Sequence, residues 1–480
     1  MEVLFVTAEM VPFSKVGGLA DVAGALPKAL AAAGHHISVA TPMHTPEPPS
    51  EAKLAAGHVP LRLDGRDIEC RLYKVALEKN LDVYLVDLPA YFHGRKVYGE
   101  ENDLERFTAF SLAALQVPAT SGRRPDVVHA QDWHTALAPW AVKHNVGGLG
   151  EASTLFTVHN MQYQGHVDPQ WFRRVMERPM PEEPSFQSVG LYPSMMGLAV
   201  ITSEGVSTVS PTYAKEITTP EQSFGMHPLL AARGDQVYGI INGIDYDLWD
   251  PARDTALPQK FDAKTVEKRA ANKAALQERL NLPKRPDVPV MGVVNRLADQ
   301  KGIDILLPAL EKLLPRHQVQ LALLGTGDKK FEEWFKALAA RMPQQVAVVI
   351  AFDDKVARTI YGGSDIFLMP SRFEPCGLGQ MIAMRYGSIP IGRKTGGLAD
   401  TIDDCDPQLS KGTGFLFEGY SPEPLEAVME RALTGFAQPR VWKALQQRAM
   451  ARDFSWGASA KSYESVYNEL KRRKKASAHA

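Results

Sequence analysis

The chain has 480 residues, 45% of them hydrophobic and 23% charged, with 54 basic and 55 acidic side chains giving a net charge of −1. That balance excludes a disordered chain and leaves no broad basic field for nucleic acid, and the length suits two large domains or three small ones. Three scattered cysteines, Cys70, Cys376 and Cys405, fit neither a disulfide framework nor a zinc site. They point to a reducing cytoplasm. The start, Val3-Leu4-Phe5-Val6, reads as a buried strand, without the pattern of a secretory signal, and no apolar run is long enough to span a bilayer.

Taken in chain order, a strand over residues 3–6 leads through a glycine loop into an alanine-rich helix over 20–33. The pattern predicts further strands at 37–40, 81–86, 127–129, 155–158 and 207–209, with a proline-rich surface loop over 42–60. Residues 251–289 read as a proline-flanked linker carrying a helix over 264–280. The alternation then restarts with strands at 288–294, 320–324, 347–350, 366–369 and 388–391. An amphipathic helix covers 442–470, and the basic run 471–475 reads as its solvated end. Strands alternating with helices predict an α/β fold with two doubly wound parallel sheets.

The halves share an opening device. Lys15-Val-Gly17-Gly18-Leu-Ala-Asp21 returns as Lys394-Thr395-Gly396-Gly397-Leu-Ala-Asp400. Paired glycines at a helix start free the backbone to turn and expose N–H groups to an anion, although most such pairs are plain turns. Polar clusters also follow the predicted strands, where parallel sheets bind ligands. They are Gln131-Asp132-Trp133-His134, Thr157 to Gly165, Asn295 to Gly302, Gly325-Thr-Gly-Asp328 and Pro370 to Leu378. A lone member is ordinarily structural; five in matching places are much harder to dismiss. Arg296 and Lys301 sit five residues apart on one loop and could reach one phosphate, by a planar fork and a point charge. Glu374 precedes a helix start expected at Gly377, and its carboxylate suits sugar hydroxyls.

These segments carry a resemblance. The run from Lys15 to Pro27, Gln131-Asp-Trp-His134, Thr157-Val-His-Asn160, Thr208 to Glu216, Asn242-Gly-Ile-Asp245, Gln300-Lys-Gly302 and Pro370-Ser-Arg-Phe-Glu-Pro-Cys-Gly-Leu378 are similar to the bacterial glycogen synthase and plant starch synthase family along the whole chain. The resemblance implies two facing Rossmann-like domains with a deep interdomain cleft, the GT-B fold. The expected domains are 1–245, rejoined by a returning helix at about 457–480, and 246–456. It implies transfer of glucose from ADP-glucose to the non-reducing end of an α-1,4-glucan, with retention of configuration and no metal or other cofactor.

The resemblance also implies residue roles. His159, Arg296, Lys301, Glu374 and Asp132 form the catalytic set. Lys15, Gly17, Gly18, Asp21, Asn242, Gly325, Phe352, Cys376, Gly377, Leu378, Thr395, Gly396 and Gly397 bind the donor. Asn160, Gln162, Tyr163 and His134 face the acceptor. The partners are a nucleotide sugar and glycogen or a malto-oligosaccharide, with no nucleic acid or membrane.

Some positions depart from the family pattern. Val16 stands in place of threonine, Phe352 in place of a tyrosine near the base, and Ile382 where related transferases carry a ribose-binding glutamate. The segments 43–49 and 225–228 diverge most. Asp245-Tyr-Asp247 matches a metal-binding pattern of another fold but follows a turn signal and reads as structural. Three alternatives stay open: the same chemistry with UDP-glucose or another acceptor, an NAD-dependent oxidoreductase, and a non-catalytic glucan-binding protein. The first loop lacks Gly-x-Gly-x-x-Gly, which weakens the second. A retaining glycosidase would need a second carboxylate facing Glu374, and none is evident.

Overall fold

In the computed structural model, which describes residues 1–478, short β-branched runs form the parallel strands of two sheets. The chain divides into two compact units, Met1–Gly243 with Trp456–Ala480, and Ile244–Ser455.

The first unit is built on a nine-stranded sheet. Its spatial order is Val237–Gly239, Gly205–Thr208, Ser153–Val158, Val127–Gln131, Glu2–Val6, His36–Pro42, Leu81–Asp87, Arg71–Glu78 and Lys53–Ala56. All neighbours are parallel except at the far edge, where Arg71–Glu78 runs antiparallel to both its partners. Side chains alternate between the faces along each strand. Leu4 and Val6 pack on one side with Phe110, Trp140 and Phe156. Val3 and Phe5 pack on the other with Val39, Leu155 and the final helix through Tyr463, Tyr467 and Leu470. The helix Gly18–Ala32 buries Leu19, Val22, Ala23, Leu26 and Leu30, close to the period that its alanine-rich sequence predicts.

The second unit holds six strands, all parallel. Their order is Val346–Val349, Gln320–Leu324, Val290–Val294, Ile366–Met369, Ile389–Arg393 and Phe415–Phe417. Among the described residues no helix is long and apolar enough to cross a membrane.

Four expectations of the sequence need correction. The 42–60 loop contains the edge strand Lys53–Ala56. Its exposed Lys53 and Leu54 give no alternating apolar signal. Residues 251–289 are not a free linker: the buried Arg269 donates to the carbonyls of Tyr386 and Ser364, and Lys273 pairs with Asp365 at 2.7 Å. The single helix over 264–280 is two elements, a 3₁₀ turn Ala263–Lys268 capped by Asp262 and the α-helix Arg269–Arg279. The helix over 442–470 also breaks, into Pro439–Met450 of the second unit and Trp456–Ala478 of the first. At the break Ile244 N–H donates to Phe454 O at 2.8 Å. Gly243 must lack a side chain, because a Cβ there would lie 2.6 Å from Trp456 N.

Candidate active site

The chemistry-bearing residues of each unit lie on loops that leave the C-terminal ends of its strands, where the sheets leave backbone groups open to a ligand.

In the first unit, Glu2–Val6 ends in a loop whose organiser is Glu9, 1% exposed. Its carboxylate accepts N–H groups of Val16 at 2.5 Å and Gly17 at 3.2 Å, and the Tyr98 hydroxyl bonds it as well. Burial raises the Glu9 pKa, while those bonds pull it back. The loop is therefore shaped before any ligand arrives. Gly18 remains open, with nothing within 4 Å of where a Cβ would sit. Lys15 and Asp21 are brought together at 2.6 Å, both exposed.

Val127–Gln131 delivers Asp132, which has a positive φ of 57°. Its carboxylate accepts the backbone N–H of His159 at 2.7 Å and that of Asn160. Burial pushes its pKa up to about 7. Asp132 thus fixes the loop that follows Ser153–Val158. The His159 ring meets Gln131 Oε1 through Nε2 at 2.8 Å, which leaves Nδ1 as the acceptor. Burial lowers the His159 pKa to about 4, so the ring is neutral at pH 7. Asn160 Oδ1 accepts Gln162 N–H at 2.9 Å, and Tyr163 stands exposed beyond them. His134 turns into an aromatic cluster instead, 4.2 Å from Trp133 and 4.5 Å from Tyr98 between ring centres, with its pKa lowered by burial to about 3. Asn242 is buried at the end of this unit.

In the second unit, three loops cross without room for a side chain. A Cβ on Gly302 would lie 1.9 Å from Pro370 O, on Gly396 2.0 Å from Glu374 O, and on Gly397 1.9 Å from Cys376 O. Gly397 N–H donates to Glu374 O at 2.9 Å, and Arg372 N–H to Gln300 O. This crossing brings Lys301 Nζ to 2.6 Å from Glu374 Oε2, which Ser371 Oγ also meets at 2.9 Å. Arg296 reaches Gln300 Oε1 at 3.0 Å from an exposed position. Cys376, Gly377 and Leu378 lead into the helix Gly379–Arg385, two residues later than the sequence suggests. Gly377 has φ +72° there, and Gln380 braces the turn by donating to the carbonyls of Cys376 and Gly377. Thr395 is buried at the cap of the helix Gly396–Thr401. Gly325 is needed for packing, since a Cβ would lie 2.1 Å from Asn295 O. Phe352 stands apart and is 93% exposed. Asp245 accepts Asp247 N–H in its own turn, and Asp247 pairs with Arg253.

The profile of the starch synthase catalytic domain matches residues 2–232, and that of the group 1 glycosyl transferases matches residues 276–445. A glycogen synthase of Anaeromyxobacter sp. (strain Fw109-5) is 43% identical over 98% of this chain and 99% of its own. The chain belongs to the glycogen synthase and starch synthase family. The glycogen synthase of Bacillus subtilis (strain 168) is 37% identical over 98% and 99% of the two chains. The catalytic domain of starch synthase IV from Arabidopsis thaliana, solved with ADP and acarbose, is 34% identical and superposes with a TM-score of 0.87 over 98% and 99%. A sucrose-phosphate synthase from Thermosynechococcus elongatus, 19% identical with a TM-score of 0.60, shares the GT-B fold. The chain is a hexosyltransferase of the glycogen and starch synthase type.

Sequence reasoning passed over Glu9 and Tyr98, and named Gln131 in a cluster without giving it a role. Glu9 carried a readable signal, a carboxylate amid buried apolar residues eight positions before the paired glycines. Tyr98 carried none, because its partner lies on a distant loop.

Proposed function

We propose that the protein transfers glucose from ADP-glucose to the 4-hydroxyl at the non-reducing end of an α-1,4-glucan, with retention of configuration. The observation that carries this reading is the Lys301–Glu374 pair, held by Ser371 at the glycine-lined loop crossing. A starch synthase catalytic domain that matches the whole chain binds ADP and acarbose, which supports a diphosphate donor and a glucan acceptor.

In the proposed reaction the C1–O bond to the β-phosphate breaks and a C1–O4 bond forms. The acceptor hydroxyl proton passes to the departing ADP. Lys301 and Arg296 neutralise charge that grows on the leaving phosphate, a role in which fixed charges need no reorganisation. Lys15 and the Gly18 N–H bind the same diphosphate, while Glu374 turns to the glucose hydroxyls once Lys301 has a phosphate partner. The N–H groups of Cys376, Gly377 and Leu378 and the turn Thr395-Gly396-Gly397 line the donor, with Asn242, Gly325 and Asp21 in support. Phe352 stacks on the base. Neutral His159 lines the reacting sugar, and Asn160, Gln162 and Tyr163 face the acceptor. The proposed step uses no metal. The proposed compartment is the cytoplasm, in keeping with three buried cysteines that form no disulfide.

Elongation of maltotriose followed by NMR of the product tests this. New α-1,4 signals that grow one glucose at a time are expected. Release of free glucose with no longer product would overturn it.

A further inference from the structure

A row of buried polar side chains crosses the centre of the first unit's sheet, on the face that the final helix covers. Tyr467 Oη lies 2.7 Å from His129 Nδ1, His129 Nε2 lies 2.6 Å from Thr157 Oγ1, and Thr157 Oγ1 lies 2.6 Å from Ser207 Oγ. All four are fully buried. Two residues beyond His129 and Thr157 come Gln131 and His159, joined at 2.8 Å from Oε1 to Nε2. Backbone bonds fix both segments. Asp132 N–H donates to Thr157 O at 2.8 Å, and His159 N–H donates to the Asp132 carboxylate at 2.7 Å. Gln131 is fully buried, and its Nε2 has no acceptor among the described residues. An unpaired buried amide costs stability, and methionine or leucine at this strand position would avoid that cost. The hydrogen bond that the side chain does make goes to the His159 ring, whose Nδ1 bonds no group among the described residues.

We propose that Gln131 is a positioning residue for the transfer: its amide oxygen holds the Nε2 proton of His159, so that a neutral ring turns its Nδ1 lone pair toward the reacting sugar. This role rests on the proposed reaction, in which His159 lines that sugar. An amide suits it where a carboxylate does not. The amide oxygen accepts a hydrogen bond but carries no charge, so it fixes the tautomer without drawing a second proton onto the ring. Neutrality matters to the chemistry, because a sugar carbon that loses its leaving group gathers positive charge, which an imidazolium beside it would oppose. The neighbours of the ring agree. The Asp132 carboxylate is committed to the backbone N–H groups of His159 and Asn160, and burial pushes its pKa up to about 7. The His129 ring is held neutral by burial, with His159 adding to the effect. Burial likewise lowers the His159 pKa to about 4. The polar row beneath fixes the strands from which the two side chains project.

Nitrogen NMR of the histidine rings and kcat against pH, with ADP-glucose and maltoheptaose, test this on the parent, Gln131→Met, Gln131→Glu and Tyr467→Phe. The parent should show His159 protonated at Nε2 and bare at Nδ1 near pH 7. Gln131→Met frees the ring, and kcat should fall about tenfold with the acid limb of the profile unmoved. Gln131→Glu sets a carboxylate against the ring and should raise its titration by about one pH unit or more. Because the neutral ring is the active form, the acid limb of kcat should rise by the same amount, with activity returning above about pH 8. Tyr467→Phe removes a hydrogen bond of the row beneath; it should melt at a lower temperature but keep the parent's ring signals and pH profile. A parent ring protonated at Nδ1, a Gln131→Met protein with the parent's kcat, or a Gln131→Glu protein whose ring titration or acid limb stays in place would overturn the role of Gln131. A parent that shows the expected ring signals but forms no glucan product would instead overturn the proposed reaction.

Discussion

Lys301 and Glu374, seventy-three positions apart in the chain, face each other at 2.6 Å with the carboxylate almost wholly buried. Among the described residues neither side chain enters a second ion pair, so each sets the other's cost of burial. In the proposed reaction the pair is exchanged for a phosphate and a sugar.

Replacing Lys301 by alanine leaves that carboxylate unpaired. Stability is expected to fall by about 2–4 kcal/mol, and kcat by about a hundredfold or more, with a smaller change in acceptor KM. Lys301→Met combined with Glu374→Gln regains most of the stability and none of the activity. Urea denaturation and steady-state kinetics on both variants check this. An unchanged kcat would remove Lys301 from the reaction.

Glu9 holds the N–H groups of Val16 and Gly17. Glu9→Gln keeps the shape but can accept through one oxygen only. Donor KM is expected to rise about tenfold while acceptor KM stays within about twofold. A parallel rise in both would make the effect a general loss of structure.

The two glycine motifs look alike in sequence but differ in what surrounds them. Gly18→Ala meets open space and should leave stability within about 0.5 kcal/mol while weakening donor binding. Gly397→Ala would drive a Cβ into Cys376 O and should cost about 3 kcal/mol or more. Melting curves of the two variants distinguish them, and equal curves would contradict the loop crossing.

Acid should destabilise the first unit. His44 and His159 have their pKa lowered by burial to about 4, His134 to about 3, and His129 well below the usual value. Folded, they bind fewer protons than unfolded once the pH falls below about 6.5, so stability rises with pH in that window and is lost as pH drops through it. Asp132 acts in the opposite sense, because its folded pKa of about 7 favours the folded state as pH falls from 7 toward 4. Histidines lowered in this way, His35 among them, outnumber the raised carboxylates Asp132 and Glu9, and each unit of pH weighs at most about 1.4 kcal/mol per group. Urea denaturation near pH 5 should give a stability lower by a few kcal/mol than near pH 7, and Asp132→Asn should widen the difference.

Most central strands were legible because parallel strands covered on both faces are continuous apolar runs, as at Val290–Val294 and Gln320–Leu324. The edge strand Lys53–Ala56 was not, since its side chains are exposed and its register is set by a partner strand. The proposed site residues His159, Arg296, Lys301 and Glu374 follow such strands, a placement readable in the sequence. Residues that act through other loops were not readable in this way. Tyr98 carries no local pattern, and the turn of His134 into an aromatic cluster depends on Phe107 and Tyr98 from elsewhere in the chain. The doubled glycine motif misled in one respect: sequence gave both copies the same part, while packing separates them.

Transfer of labelled glucose to glycogen, with ADP-glucose and UDP-glucose side by side and no added metal, tests the central claim most directly. Strong labelling of the polymer from ADP-glucose, well above that from UDP-glucose, is the predicted result. A folded protein that labels glycogen from neither donor would contradict it.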